Sequence, residues 1–378
     1  MKTVVIAGFA RSPFDFAKKG ALAKVRPDEL VAQIMAALVE RTRIDPAEIE
    51  DVILGCAIPE GEQGLNIARL AGFIAKLPIG VAGATVNRFC GSSMQAIHMA
   101  AGAIQLGAGE AFLCGGVESM SRVPMTGFNP SPHPGLAKEF PAAYISMGQT
   151  AENVARKYQV TRERQQQFAV TSHRKAAAAQ SAGKLRDEIV PIRTEAGMVA
   201  ADGCIRADTS EERLATLAPA FDAAGTVTAG TSSPLTDGAA VTLVCTEEYA
   251  KRRKLEVLAR LKSVAVAGCA PDLMGMGPVP AAQKAIARAG LAVKDIDLVE
   301  INEAFASQSI ACLQELGIDE AKVNLDGGAI ALGHPLGATG ARITGKAASL
   351  LQREGKRYAL ATQCIGGGQG IATILERA

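Results

Sequence analysis

The sequence predicts an α/β protein made from two copies of one domain, and three observations carry that prediction. First, a set of landmarks recurs: Thr3-Val4-Val5-Ile6-Ala7-Gly8 returns as Ser263-Val264-Ala265-Val266-Ala267-Gly268. Second, strand-like apolar runs alternate with helical stretches in both copies, the pattern of a mixed, mostly parallel sheet covered by helices. Third, the matched landmarks lie about 250 residues apart, which is one duplication of a whole domain and not a short-period solenoid.

Taken in order, each copy opens on a strand and continues through a loop into a helix, residues 28–41 in the first and 280–289 in the second. An acidic segment then leads to another strand, Ile49-Glu50-Asp51-Val52-Ile53-Leu54 against Val293-Lys294-Asp295-Ile296-Asp297-Leu298. Thr85-Val86-Asn87 pairs with Lys322-Val323-Asn324, and each is followed by a Gly-rich turn and a long helix of small residues. Ala111 to Gly115 matches Ala359 to Gln363, and Ala240 to Val244 matches Ile371 to Leu375. In the second copy the last two strands are joined by the short loop Cys364-Ile365-Gly366-Gly367-Gly368-Gln369-Gly370, whereas in the first the same joint runs from about Gly115 to Gly238. A long insertion therefore interrupts the first copy. The expected division is a first half over residues 1–252 carrying an inserted domain at about 119–228, then a second half over 253–378. The insertion holds Pro-rich turns at Pro124, Pro130, Pro132, Pro134 and Pro141, then a charged helical region from Thr150 to Ala182 with a capped start at Thr161. Its cations, among them Arg156, Lys157, Arg162, Arg164, Lys184 and Arg206, fit either an ordinary solvated face, the commoner meaning of such runs, or a surface for a polyphosphate ligand.

Composition narrows the function. The chain is 48% apolar with 39 glycines, so it is compact and large enough for a substantial core. It has no Trp, four Tyr and a formal net charge of +2, a poor supply of stacking platforms and phosphate-binding field, which argues against nucleic acid. Eight cysteines are scattered without a Cys-x-x-Cys pair, so metal ribbons and disulfide frameworks are disfavoured. The N-terminus reads as a core strand, not a signal peptide, and no apolar run reaches membrane-spanning length. A soluble cytoplasmic protein without membrane insertion is expected.

Four stretches carry chemistry. In Asn87-Arg88-Phe89-Cys90-Gly91-Ser92-Ser93 a lone cysteine falls on a strand-to-helix turn, where unpaired N–H groups and the helix dipole favour a thiolate. Gly91 is expected to let backbone crowd against the sulfur. A lone cysteine is more often a small buried hydrophobe, so this turn needs support from elsewhere. Glu300-Ile301-Asn302-Glu303-Ala304-Phe305 follows a strand, so Asn302 and Glu303 can face a cleft at its carboxyl end, although a helix N-cap is the usual task of such an asparagine. Gly333-His334-Pro335-Leu336-Gly337 holds one of only four histidines rigidly on a tight turn, which suits proton transfer. Cys364 begins the glycine loop, whose free N–H groups can converge on an oxygen. Gly340-Ala341-Arg342-Ile343-Thr344-Gly345-Lys346-Ala347 nearly spells a phosphate-binding loop but lacks the final Ser/Thr and lies within a helix.

Together with Gly115-Gly116-Val117-Glu118-Ser119-Met120, these blocks resemble the signature blocks of the thiolases over essentially the full chain and in the right order. The resemblance implies a duplicated five-layered α/β/α/β/α fold with an inserted loop domain, in dimers or tetramers. It implies that Cys90 takes the acyl group, that His334 draws off its proton and that Cys364 protonates the acetyl-CoA enolate. Asn302 would hold a water that binds the enolate oxygen with His334, and the N–H groups of Cys90 and Gly366 would form the oxyanion hole of the acyl-enzyme. Coenzyme A enters as a substrate, with no metal or tightly bound cofactor; Arg206 and Ser233 are its implied contacts, and Met147 would line the acyl pocket. Thr231 and Ser93 depart from the family's usual residues, which touches the contacts in those blocks. The short Pro-rich path from Met120 to Met147 and the block Thr231-Ser232-Ser233-Pro234 look more like degradative 3-ketoacyl-CoA thiolases than the acetoacetyl-CoA type. A decarboxylating ketoacyl synthase would have His or Asn where Cys364 stands, and a non-catalytic acyl-CoA-binding relative would lack one of Cys90, His334 and Cys364.

Overall fold

The structure, a computed structural model, describes residues 2–378. Twelve strands run in chain order: β1 (Val4–Arg11), β2 (Asp15–Phe16), β3 (Asp51–Gly55), β4 (Ala82–Val86), β5 (Ala111–Ser119), β6 (Ile192–Thr194), β7 (Gly197–Val199), β8 (Thr236–Thr246), β9 (Ala259–Gly268), β10 (Leu298–Ile301), β11 (Tyr358–Ile365) and β12 (Gln369–Glu376). In space they order as β10-β11-β12-β9-β1-β8-β5-β3-β4, with β2 on β8 and β6-β7 apart.

The duplication is visible in that order. The first half reads β4-β3-β5-β8-β1, and the second repeats it as Val323, β10, β11, β12, β9, where Val323 bridges Val299 in parallel. The two sheets are joined edge to edge by the pairing of β1 with β9, Val5 with Arg260 and Ile6 with Ala259. The sheets are evenly mixed instead of mostly parallel: β3 pairs in parallel with β4 and β5, and β10 with β11, whereas β5–β8, β8–β1, β11–β12 and β12–β9 are antiparallel. Helical crossovers give the parallel pairs. The three-glycine turn at 366–368 is too short for a crossover and forces β12 to run back along β11.

Buried clusters mark five layers. On the outer side of the first half, Leu30, Ile34, Met35 and Leu38 of the helix Pro27–Thr42 pack with Val52, Leu54, Leu113 and Val241 of the sheet. On the outer side of the second, Ala281, Ala285, Ile310 and Leu313 pack with Val299, Ile301, Leu360 and Ile374. Between the halves run the helices Ser92–Gln105 and Thr339–Arg353, the first touching Ile53, Phe112 and Val244, the second Ala359, Ala361 and Ile371. They cross closely because their contact faces are small: a side-chain carbon on Gly340 would lie 2.4 Å from the Met94 nitrogen. Strands sandwiched in this way read as continuous apolar runs, and all eleven residues of β8 are buried.

Between β5 and β8 the chain leaves the sheet. The charged region is two helices, Met147–Lys157 and Arg162–Ser181, and the Thr161 side chain caps the second by accepting from Arg164 N–H. Its cations are partly absorbed by structure: Arg164 pairs with Glu320, Lys175 Nζ donates to the Val323 carbonyl and Arg162 to carbonyls of residues 214–217. Arg11, fully buried on β1, ties this segment down through two bonds to Asp202 (2.7 and 2.8 Å) and one to Glu188 (2.8 Å).

Candidate active site

The turn carrying Cys90 follows β4. Phe89 adopts φ +42°, a left-handed conformation that side chains other than glycine seldom take and that sharpens the turn. Local bonds hold it: Asn87 Oδ1 accepts from Phe89 N–H (2.8 Å), and Ser92 Oγ accepts from Arg88 N–H (2.9 Å) while donating to the Phe89 carbonyl (2.6 Å). Cys90 is thus delivered just before the helix Ser92–Gln105, buried at 9% exposure. Gly91 is small for another reason than expected: a side chain there would lie 2.5 Å from Ile365, not against the sulfur. Ser93 has a definite task too, its Oγ accepting from Ala341 N–H (2.8 Å) and joining the two central helices.

The partners come from the second half. Gly333 has φ +105°, and a side-chain carbon there would lie 2.6 Å from Thr236, so only glycine turns the chain tightly enough to present His334. His334 Nδ1 lies 2.7 Å from Thr339 Oγ1. Because that hydroxyl spends its single hydrogen on the Pro335 carbonyl (3.0 Å), it accepts from Nδ1–H, which assigns the free lone pair to Nε2. Asn302 Nδ2 lies 3.3 Å from Nε2, and Asn302 Oδ1 is buried without a protein partner. Asn302 is not a helix cap, since the next helix begins at Ala306. Glu303 is buried and bonded to Ser172 (2.6 Å), Asn324 (2.7 Å) and Ile330 N–H (3.2 Å), a bracing group turned away from the cleft.

Cys364 is the last residue but one of β11, and the turn after the strand brings the Gly366 N–H onto the Cys90 sulfur alongside Cys90's own N–H. Gln363 adds a bond from its amide to the Cys90 carbonyl, locking the two turns together. Cys90, His334 and Cys364 line one cavity of about 200 Å³. Its remaining wall is apolar, with Met120, Met125, Met147, Met274, Phe221 and Phe305 prominent, and it includes Ser233, whose N–H and Oγ both donate to the Ala304 carbonyl (3.0 and 3.1 Å). Arg206 lies outside that wall, exposed, with its guanidinium 5.3 Å from the Phe16 ring.

The electrostatics differ from a simple helix-start thiolate. Burial pushes the Cys90 thiol up to about 11, more than the Gly366 and Cys90 N–H groups pull it down. Burial, and then the neighbouring Cys90, raise the Cys364 thiol well above its usual range. Burial, assisted by Arg342, lowers His334 to about 3, so the imidazole is neutral at rest. At rest the cavity therefore holds a protonated Cys90 thiol and a neutral His334 imidazole. Sequence reasoning missed Thr339 and Gln363; both lie within five residues of a marked residue, but only side-chain direction distinguishes them. Among the described residues no cluster of His, Cys, Asp or Glu is arranged to hold a metal, and no helix is long and apolar enough to cross a membrane.

By fold and family this is an acyltransferase. The chain belongs to the thiolase family: residues 4–248 match the thiolase N-terminal domain and residues 255–377 the thiolase C-terminal domain. It is 50% identical over 389 aligned residues to a 3-ketoacyl-CoA thiolase of Shewanella loihica and 48% identical to one of Bacillus subtilis, in each case across 100% of both chains. The crystal structure of an acetyl-CoA acetyltransferase from Bacillus anthracis superposes with a TM-score of 0.91 at 41% identity, covering 100% of this chain and 99% of that one.

Proposed function

We propose that this protein cleaves 3-ketoacyl-CoA with coenzyme A, giving acetyl-CoA and an acyl-CoA two carbons shorter. The observation that carries the reading is the meeting of Cys90, His334 and Cys364 in one cavity of a thiolase with full-length 3-ketoacyl-CoA thiolase relatives. In this reading His334 Nε2 takes the Cys90 proton as the sulfur attacks the 3-keto carbon. The N–H groups of Cys90 and Gly366 receive the developing oxyanion. When the bond between C2 and C3 breaks, the electron pair passes to the acetyl-CoA enolate; a water on the free Asn302 Oδ1 and the His334 ring bind its oxygen, and the Cys364 thiol supplies the proton to C2. The coenzyme A thiol then attacks acyl-Cys90, losing its proton to the Cys364 thiolate, while the departing Cys90 sulfur takes back the proton held on His334, so that both thiols and the neutral imidazole are restored. Coenzyme A is a substrate, lying on the insertion with Arg206 and Ser233 as contacts and Met147 against the acyl chain.

The same reading divides the chain into a first half at 1–252, with the insertion at about 119–228, and a second at 253–378, and places it in the cytoplasm as a homodimer or homotetramer. The open edge at β4, flanked by exposed Leu65 and Ile79, supports self-association. Four methionines in the wall give an adaptable apolar surface, which favours 3-ketoacyl chains of several lengths over acetoacetyl-CoA alone. The test is turnover of a chain-length series by wild type, Cys90→Ala and Cys364→Ala. Cys90→Ala is expected to be inactive, and Cys364→Ala to retain acyl transfer to Cys90 from an acyl-CoA while losing carbon–carbon cleavage. Wild-type turnover by Cys90→Ala would falsify the mechanism, and activity confined to acetoacetyl-CoA would restrict the substrate to the short-chain type.

A further inference from the structure

Behind the catalytic cavity, in the central layer, lies a charge pair that the reaction as described does not use. Arg342 and Glu300 are each 1% exposed and joined by a single bond, Nη1 to Oε2 at 3.2 Å. Arg342 Nε and Nη2 and Glu300 Oε1 have no protein partner. So incompletely satisfied a buried pair is a weak source of stability, and aliphatic replacements of similar volume are often neutral or better. Its place in the fold is more informative. Glu300 and Asn302 are two apart on the path of β10, so they face the same side, and Thr339 and Arg342 are three apart on one helix, so they share a face. Asn302 reaches His334 from the strand, Thr339 reaches it from the helix, and Arg342–Glu300 joins the same strand to the same helix. The contacts close into a ring with the imidazole at one end and the charge pair at the other.

We propose that Arg342 and Glu300 are positioning residues for the reaction: their pair fixes β10 against the central helix in the register that lets Asn302 and Thr339 clasp His334, and sets a positive charge behind the imidazole. The inference rests on His334 acting as the base. Arg342 is the charged group that acts on His334, and it also acts on Glu303. The other titratable groups around the ring are Lys346 on the helix, balanced by Glu188 and Asp326; Glu300 on β10 and Glu303 just past its end; Asp237 on β8; Glu118 at the Gly337 N–H; and Cys90 and Cys364 in the cavity. A cation behind the ring disfavours its protonated form, so removing the cation raises the ring's proton affinity. Activity then fails at a higher pH on the acid side.

The experiment measures kcat/KM against pH and thermal melting for the double variant Arg342→Met with Glu300→Leu, for Arg342→Lys and for Glu300→Gln. The double variant is expected to melt within a few degrees of wild type, to lose about tenfold or more in kcat, and to show an acid limb raised by about one pH unit or more. Arg342→Lys keeps the charge and so the wild-type limb, with only partial kcat, because the shorter side chain and compact ammonium do not fill the place of the guanidinium between the helix and β10. Glu300→Gln keeps the shape and removes the anion, so its limb stays at or below that of wild type; this variant carries the test if the double variant does not fold. A folded double variant with wild-type kcat and pH profile, or a Glu300→Gln limb moved upward, overturns the inference. His334→Ala separates the two levels: its wild-type turnover would remove the base and this inference together, whereas an inactive His334→Ala beside an unshifted double variant overturns the inference alone.

Discussion

Replacing Thr339 by Val removes one oxygen and almost no volume. That oxygen lies 2.7 Å from His334 Nδ1 and is fully buried, so the variant leaves an imidazole N–H facing a methyl group. An unpaired buried donor costs about 1–3 kcal/mol. The ring can escape only by moving its proton to Nε2, the atom that accepts from Cys90 in the proposed mechanism. Either way the cost falls on the chemical step, and about 1–3 kcal/mol in the barrier is roughly a 5- to 150-fold loss of kcat. Thr339 does not line the cavity, so KM for the thioester should stay within about twofold. Steady-state thiolysis of acetoacetyl-CoA separates the two constants, and alkylation of Cys90 by iodoacetamide reads thiol activation alone. Thr339→Ser, which keeps the hydroxyl, should recover most of the rate. A folded Thr339→Val enzyme with unchanged kcat, or one whose loss lies wholly in KM, would refute the assignment of the His334 proton to Nδ1.

Two further outcomes are expected. Gly333→Ala forces φ +105° on a residue with a side chain and drives that carbon to 2.6 Å from Thr236; it should cost about 2–4 kcal/mol in urea unfolding and most of the activity, and a loss below about 0.5 kcal/mol would mean the turn relaxes freely. Stability should also fall in mild acid. Burial lowers His98 and His334 to about 3 and His173 to about 4, so below pH 6.5 the unfolded chain binds more protons than the folded one, and stability present above 6.5 is lost as pH drops towards those values. The limit is about 4 kcal/mol per pH unit for three such groups, opposed by buried carboxyls whose proton affinity burial raises, Glu300 to about 7 with Glu118 and Glu303 in the same direction; NMR titration of the imidazole C–H signals between pH 7 and pH 4.5 reads the rings themselves, and a ring that titrates in that range would not be neutral in the fold.

Much of this was legible in the sequence because duplication leaves a long-range pattern that local noise cannot erase. Matching Thr85-Val86-Asn87 with Lys322-Val323-Asn324 anticipated the position of Val323 as the counterpart of β4, although it forms only a bridge. Glycine and proline marked the turns bearing Cys90, His334 and Cys364, since such turns need those residues on steric grounds. Strand direction was misjudged because alternation of strands and helices says nothing about a joint that bypasses a helix, as at residues 366–368. The state of Cys90 was misjudged for a related reason: a helix start is a local feature, while the burial that raises this thiol comes from both halves of the chain. The Arg342–Glu300 pair was invisible, because its members are 42 positions apart and neither stands out by type.

The repeated asparagine shows where the symmetry ends. Asn87 spends its side chain inside its own turn, on the Phe89 N–H. Its counterpart Asn324, itself at φ +45°, reaches across to both backbone groups of Ile301 and to the Glu303 carboxylate. One copy thus serves to present a sulfur, while the other stiffens the ground from which proton traffic is managed. Replacing either turn by a copy of the other would preserve the outline of the molecule and leave it with either two such sulfurs or none, so the mirrored scaffold depends for its output on a difference between its halves.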